Sequence, residues 1–274
     1  MGLTVRTNLT AMNAYNTLNN TQGSLSSTLN RISSGMRVTK AADDAAGLAV
    51  ATKINSKATS LGQAMRNSND GISLIQTAEG STNEVTNILT RMRELAVQSA
   101  SDTLANSERV YINDEFDQLN DEITRIASVT EFNGLQLSDG TTTTISAQVG
   151  IENASTSQIT ITLGDLRATV LGVGTLDLST STGALSALDA IDSAIDTVNG
   201  YRSGYGSVQN RLESSLANAS TYLESLSAAE SQIMDADFAK ESTEMTKLQI
   251  MQQAGVASLA QAKNINQSVI TLLS

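Results

Sequence analysis

The sequence contains no histidine, cysteine, proline or tryptophan in 274 residues. Each absence removes a class of function. Zinc sites draw on Cys or His ligands, imidazole is the usual general base near neutral pH, and the common nucleophilic triads depend on it too. Only carboxylate-based or lysine-based catalysis survives. Without cysteine the chain forms no disulfide, so composition assigns no redox compartment. Average usage would place about 14 prolines in a chain this long. Their absence favours long unkinked helices and removes slow X-Pro isomerisation from folding. Aromatics are scarce as well, with 5 Tyr and 3 Phe, while 40% of residues are apolar. Buried area must therefore come from Leu, Ile, Val, Met and Ala, which suits narrow helix seams better than one large core. A basic surplus is also missing. The formal net charge of −11 argues against nucleic acid or an anionic membrane surface as a partner. No apolar run approaches the roughly 18 residues of a membrane span, and the first 30 residues lack the apolar block of a cleaved signal peptide. Neither membrane insertion nor that route of secretion is expected.

What is present is strongly patterned. Residues 1–42 contain no acid, only Arg6, Arg31, Arg37 and Lys40, and between Leu248 and Ser274 the sole charge is Lys263. The ends read as surfaces built to be covered, the middle as one that faces water. Tyr15, Leu18, Gln22, Leu25, Leu29, Ile32 and Met36 repeat at alternating steps of 3 and 4, the period of a coiled coil, and Val5, Leu9 and Met12 extend the line. Leu248, Met251, Leu259, Ala262, Ile265, Val269 and Leu272 fall mostly on one face of a C-terminal helix. Each stripe alone buries too little to be stable, so the termini are expected to pack on each other and on neighbouring molecules.

After Gly35 a connector is expected, with Asp43 or Asp44 capping a long helix that runs to about Ser99. Gly62, Gly71 and Gly80 inside it imply either close packing or local breaks. A further helix reads from about Leu104 to Val129, and another across Ile191–Ile233, with a stutter at Val208, Leu212 and Leu216. Between roughly Phe132 and Ser181 the composition turns to Thr, Ser and Gly. Alternation at Ile159, Ile161 and Leu163 predicts a half-buried strand, with Ile145–Ile151 as its partner. The fold class is mainly α: a long antiparallel coiled-coil rod with both termini paired at one end and a small β-hairpin region, near residues 140–180, at the other.

Candidate chemistry is sparse. Asp43/Asp44 and Asp235/Asp237 suit helix capping and interruption better than a carboxylate dyad, and neither pair has the glycine-bearing loop of a calcium site. Gly200, Gly204 and Gly206 follow no strand and precede no Lys-Ser/Thr, so they form no phosphate loop. Met234, Met245 and Met251 read as packing, and Arg91–Ala96 as a solvated face beside seam residues. No enzyme, no metal site and no cofactor is expected. The physics alone describes an acidic, elongated interaction protein with sticky ends.

The two arms also carry ordered phrases. Asn30-Arg31-Ile32-Ser33-Ser34-Gly35 is followed by Ala41-Ala42-Asp43-Asp44-Ala45-Ala46-Gly47-Leu48-Ala49, and further on come Arg91-Met92-Arg93-Glu94-Leu95-Ala96-Val97-Gln98-Ser99-Ala100 and Phe132-Asn133-Gly134. The C-terminal arm has Ala228-Ala229-Glu230-Ser231-Gln232-Ile233, Asp235-Ala236-Asp237 and Gln249-Ile250-Met251-Gln252-Gln253-Ala254-Gly255. In these phrases the chain resembles bacterial flagellin over about residues 1–140 and 186–274. The resemblance implies a subunit of the extracellular flagellar filament, secreted by the flagellar type III pathway and polymerised into a helical tube for motility.

It further implies inner-domain helices at residues 1–43 and 234–274, an outer rod domain at 44–233, and none of the large variable outer domains. Inner-domain assembly is expected to rest on Leu18, Leu25, Leu29, Ile32, Met251, Leu259 and Val269. Implied partners are further copies of the chain, the flagellar cap and hook-associated proteins, and a cytosolic export chaperone. Arg91, Leu95 and Glu115 match positions that contribute to recognition by Toll-like receptor 5, although Thr90 and Leu119-Asn120 depart from the family pattern beside them. The nearest alternative is a hook–filament junction protein. A heterologous contact that does not close generates a helical polymer, and screening of the acidic surface should make assembly easier in added salt.

Overall fold

The structure, a computed structural model, describes the backbone of residues 7–271 and the side chains of residues 7–264. Val5, Ile265, Val269 and Leu272, expected on the terminal stripes, lie outside the residues whose side chains are described. Helix α1 spans Leu9–Ser34, α2 Ala45–Ser99, α3 Asn106–Val129, α4 Ser181–Met234 and α5 Phe238–Thr271. Two short antiparallel hairpins fall between α3 and α4, β1 (Glu131–Phe132) with β2 (Leu135–Gln136), and β3 (Thr144–Gln148) with β4 (Gln158–Thr162). The protein is mainly α, with a small hairpin region. By contacts it divides into two compact units, one of residues up to Ala58 together with those from Ser225 onward, the other Thr59–Glu224.

The helix ends follow the polar residues placed at them. Asn8 accepts from the Ala11 N–H at 2.9 Å to start α1. Both halves of the Asp43/Asp44 pair have work of different kinds. Asp44 accepts from the Gly47 N–H at 2.8 Å at the head of α2, while one oxygen of Asp43 takes the Thr39 N–H, the Thr39 hydroxyl and the Lys40 N–H and so closes the connector. Those bonds hold the Asp43 carboxyl below its ordinary pKa. At α3, Ala105 has no side-chain acceptor, and the Glu108 carboxylate reaches back to the Ala105 N–H at 3.0 Å. Asp237 accepts from the Ala239 and Lys240 N–H groups at the head of α5.

In the 59–224 unit, α2, α3 and α4 close around Val85, Leu89, Met92, Phe116, Ile123 and Ile191, all without exposure. The segment after β4 is buried in part. Leu166, Leu171, Val173 and Leu178 join the same core, and the helices satisfy the irregular backbone there. Asn120 donates to the Val173 carbonyl at 2.9 Å, Asn113 accepts from the Leu178 N–H at 2.8 Å, and Ser99 donates to the Leu178 carbonyl at 2.6 Å. Arg109, almost fully buried, locks the α2–α3 turn by donating to the Ser99 and Ser101 carbonyls and to Asn106, each at 2.8 Å.

A second cluster in this unit packs β3 and β4 on α2 and α4. Register pairs Ile145 with Ile161 and Ala147 with Ile159. Ile161 and Ile159 point inward, and Leu74, Ile75, Tyr205 and Leu212 receive them. Gly71 permits the approach, because a Cβ there would sit 3.3 Å from Leu212 Cδ1 and 3.6 Å from Ala147 Cβ. At Gly62 and Gly80 a Cβ would meet nothing within 4 Å. Helix α2 runs unbroken through all three glycines, so only Gly71 has the packing reason. The expected partner strand is shorter than predicted, ending at Gln148, because the Val149 and Gly150 N–H groups both turn onto the Ser157 carbonyl and end the ladder.

Candidate functional site

In the unit containing both termini, α1 and α5 run antiparallel. Gln252 donates to Gln22 at 2.7 Å, Arg31 pairs with Glu241 at 3.6 Å, and the Asn8 amide donates to the Ala262 carbonyl at 2.9 Å. The connector after α1 is stitched to the α4–α5 junction through a bridge between Met36 and Asp235, with the Arg37 N–H on the Met234 carbonyl and the Ala236 N–H on the Gly35 carbonyl. Asn55 donates to Glu230 at 3.0 Å.

The seam of this pair is not quite the predicted one. On α1 the covered positions include Ala11, Ala14, Leu18, Thr21, Leu25, Thr28 and Ile32, and on α5 Glu241, Met245, Leu248, Gln252, Gly255, Leu259 and Ala262. Steps of 3 and 4 alternate along both helices, as in a coiled coil. Of the expected assembly residues, Leu18, Leu25, Ile32 and Leu259 therefore face the partner helix within the chain, while Leu29 and Met251 face away. Small residues decide the side. A Cβ on Gly255 would lie 3.3 Å from Leu18 Cδ1, and Ala11, Ala14, Thr21 and Thr28 let the backbones approach as bulkier side chains would not.

The larger apolar residues are consequently left outside. Leu9, Met12 and Tyr15, spaced three apart, are each more than half exposed, Leu29 further along α1 is 45% exposed, and Met36 in the connector is 39% exposed. Helix α5 likewise exposes Phe238, Ile250, Met251 and Val256. The 59–224 unit exposes Val97, Val110, Tyr111 and Leu185 among others, but without that stripe spacing. These apolar side chains stand exposed on a helix pair whose inner seam is already closed.

The second predicted constellation lies on α2 and α3. Arg91 donates to Glu115 at 2.8 and 3.1 Å and to Glu94 at 3.0 Å, and all three side chains stand about half exposed. These bonds, Glu115's first, raise the Arg91 pKa. Leu95 is only 1% exposed and belongs to the core beneath them, so the structure brings Arg91 and Glu115 together at the surface and places Leu95 below it.

Other surface carboxylates are tuned by their neighbours. Bonds from Arg93 hold Asp192 low, bonds from Arg167 hold Asp165 low, and bonds from Arg125 hold Glu122 low. Burial, and then repulsion from Asp114, Asp121 and Asp177, pushes Asp117 up. Depressed carboxyls contribute stability that is present above the unfolded value near pH 4 and is lost as pH falls through their folded values. Asp117 acts in the opposite sense, since its strain is relieved on protonation. The thermal midpoint should therefore stay level or rise slightly on acidification to about pH 5 and fall steeply below about pH 4, as read by circular dichroism across a pH series. Asp192→Asn should flatten part of the acid limb.

Among the described residues, no group of three or more His, Cys, Asp or Glu could hold a metal ion, and no helix is long and apolar enough to cross a membrane. What the fold defines is a mainly helical chain whose terminal helix pair exposes large apolar side chains. Comparison with known proteins makes the class specific. Residues 5–143 match the bacterial flagellin N-terminal helical region and residues 188–273 the bacterial flagellin C-terminal helical region. The chain belongs to the bacterial flagellin family, the subunits of the flagellar filament. It is 45% identical over 266 residues to a flagellin of Halalkalibacterium halodurans, covering 97% of this chain and 98% of that one. It is 38% identical over 300 residues to a flagellin of Bacillus subtilis, covering 97% and 98%. The crystal structure of Bacillus cereus flagellin is similar with a TM-score of 0.51 and 35% identity, over 56% of this chain and 88% of that one.

Proposed function

We propose that the chain is secreted by the flagellar type III pathway and adds to the distal tip of a growing filament, where the terminal segments 1–43 and 234–274 form an inner domain and 44–233 an outer rod domain. The observation that supports this most directly is the line of exposed Leu9, Met12 and Tyr15 on α1, with Leu29 and Met36 exposed further along the chain, beside a seam that is already filled. Stacking many copies covers such a line, and a stack that does not close becomes a helical tube. Catalysis has no part in this reading. The outer apolar face of α5 suits an export chaperone before assembly, and the same ends suit the cap and hook-associated proteins as neighbours.

The test is electron microscopy of purified protein given salt and short filament seeds, beside a chain truncated after Lys247. Long filaments from the full chain alone are expected. Addition of only a short terminal layer would favour a hook–filament junction protein, and a full chain that never adds to seeds would overturn the proposal.

Toll-like receptor 5 is proposed as a host partner through the exposed Arg91–Glu115 pair, with Leu95 holding the surface from beneath. Arg91→Ala should raise the half-maximal signalling dose by about tenfold, the size of a modest hot spot near 1.4 kcal/mol. An unchanged dose response from correctly folded monomer would sink this part of the reading.

A further inference from the structure

Methionine is distributed unevenly by exposure. Met12, Met36 and Met251 are 54%, 39% and 42% exposed, whereas Met92 in the core of the 59–224 unit has no exposure and Met65 in the same unit is partly covered. Among the described residues the three exposed methionines stand on α1, on the connector behind it, or on α5, while Met234 and Met245 of the same unit are partly covered. Met12 lies between Leu9 and Tyr15 on the outer stripe, and Met251 lies beside Ile250 on the outer face of α5. With no cysteine in the chain, no thiol competes with these sulfurs for a two-electron oxidant.

We propose that Met12, Met36 and Met251 are oxidation sites through which a peroxide controls whether the subunit can assemble. The inference rests on the stacking reading given above. In the step, the thioether sulfur attacks one oxygen of hydrogen peroxide. A sulfur–oxygen bond forms as the oxygen–oxygen bond breaks, the sulfur is oxidised by two electrons, and the peroxide is reduced to water, which carries away both protons. The product is a sulfoxide, a polar and chiral group in place of a flexible apolar one. On the free chain this group remains solvated and changes little. In a stacked contact it must be desolvated without a partner provided for it. Sulfoxide reductases reverse the change, one enzyme for each epimer. Assembly in turn covers the same sulfurs, so the unassembled subunit is the vulnerable form.

Purified chain is treated with graded hydrogen peroxide, the sulfoxides are mapped by peptide mass spectrometry, and the treated protein is offered to filament seeds. Sulfoxide should appear at Met12, Met36 and Met251 well before Met92, and chains carrying all three should add about tenfold more slowly, near 1.4 kcal/mol. A chain with Met12→Leu, Met36→Leu and Met251→Leu, conservative in volume, should add to seeds after peroxide at the same rate as it does before peroxide. Triple sulfoxide chains that elongate normally would overturn the inference, as would oxidation that strikes Met92 first. Untreated chain that fails to add to seeds overturns the stacking reading instead, and the two failures are distinguishable because the oxidation map is read separately.

Discussion

Phe116→Ala is expected to destabilise the 59–224 unit by about 3–5 kcal/mol, the range for removing a large aromatic from a closed core. The ring has no exposure and sits among residues of α2, α4 and the segment after β4. In a chain with only 3 Phe and no Trp, few other side chains can fill the space it leaves. Urea unfolding should show the midpoint moving with little change in slope. Phe116→Leu should recover most of the loss, because it keeps most of the volume, and should fall within about 1.5 kcal/mol of the parent. A shift below about 1 kcal/mol for the alanine variant would mean that the three helices do not close on this ring.

The second large effect should leave stability alone. A chain carrying Leu29→Glu and Ile250→Glu should melt within about 0.5 kcal/mol of the parent, as exposed substitutions do, since both side chains point away from the α1–α5 seam. Its addition to filament seeds should fall by more than a hundredfold, about 2.7 kcal/mol, because a carboxylate buried in a stacked contact without a partner is strongly penalised. Elongation at the parent rate would show that this face is not the one that stacks. A lowered melting point would show that the side assignment of the seam is wrong.

The side assignment is where the sequence was least legible. A line with alternating steps of 3 and 4 on α1 passes through Leu18, Leu25 and Ile32, but those residues have apolar or small neighbours on both flanks. One flank offers Tyr15, Leu29 and Met36, the other Ala14, Thr21 and Thr28. Apolar periodicity selects the first, while close approach against Gly255 selects the second, and only the partner helix decides between them. Met251 moved outward for the same reason.

Elsewhere, local chemistry was sufficient. Asp44 caps α2, Asp237 caps α5, and the alternation at Ile159 and Ile161 identifies the strand and its inward face. Missed was the β1–β2 hairpin, although Asn133-Gly134 is the usual two-residue hairpin turn and both residues take the positive φ it demands, 51° and 78°. Also missed was the burial of Leu166–Leu178. Its apolar residues follow neither a helical nor a strand period, and its backbone is satisfied by Asn113 and Asn120 from far along the chain, which no local pattern announces. At the Arg91–Glu115 surface the charges were readable from sequence, but their pairing across two helices 24 residues apart was not.

The terminal helix pair also has a place in time. Asn8 meets Ala262 across 254 residues, and Gln22 meets Gln252 across 230. Closing a loop of that length in an unfolded chain carries an entropic cost of roughly 5 kcal/mol before any contact repays it, whereas α2, α3 and the hairpins meet over much shorter spans. Folding of the 59–224 unit takes most of that loop out of play. The α1–α5 pair is therefore expected to close after the 59–224 unit has folded, when the chain left to be closed between its helices is shorter.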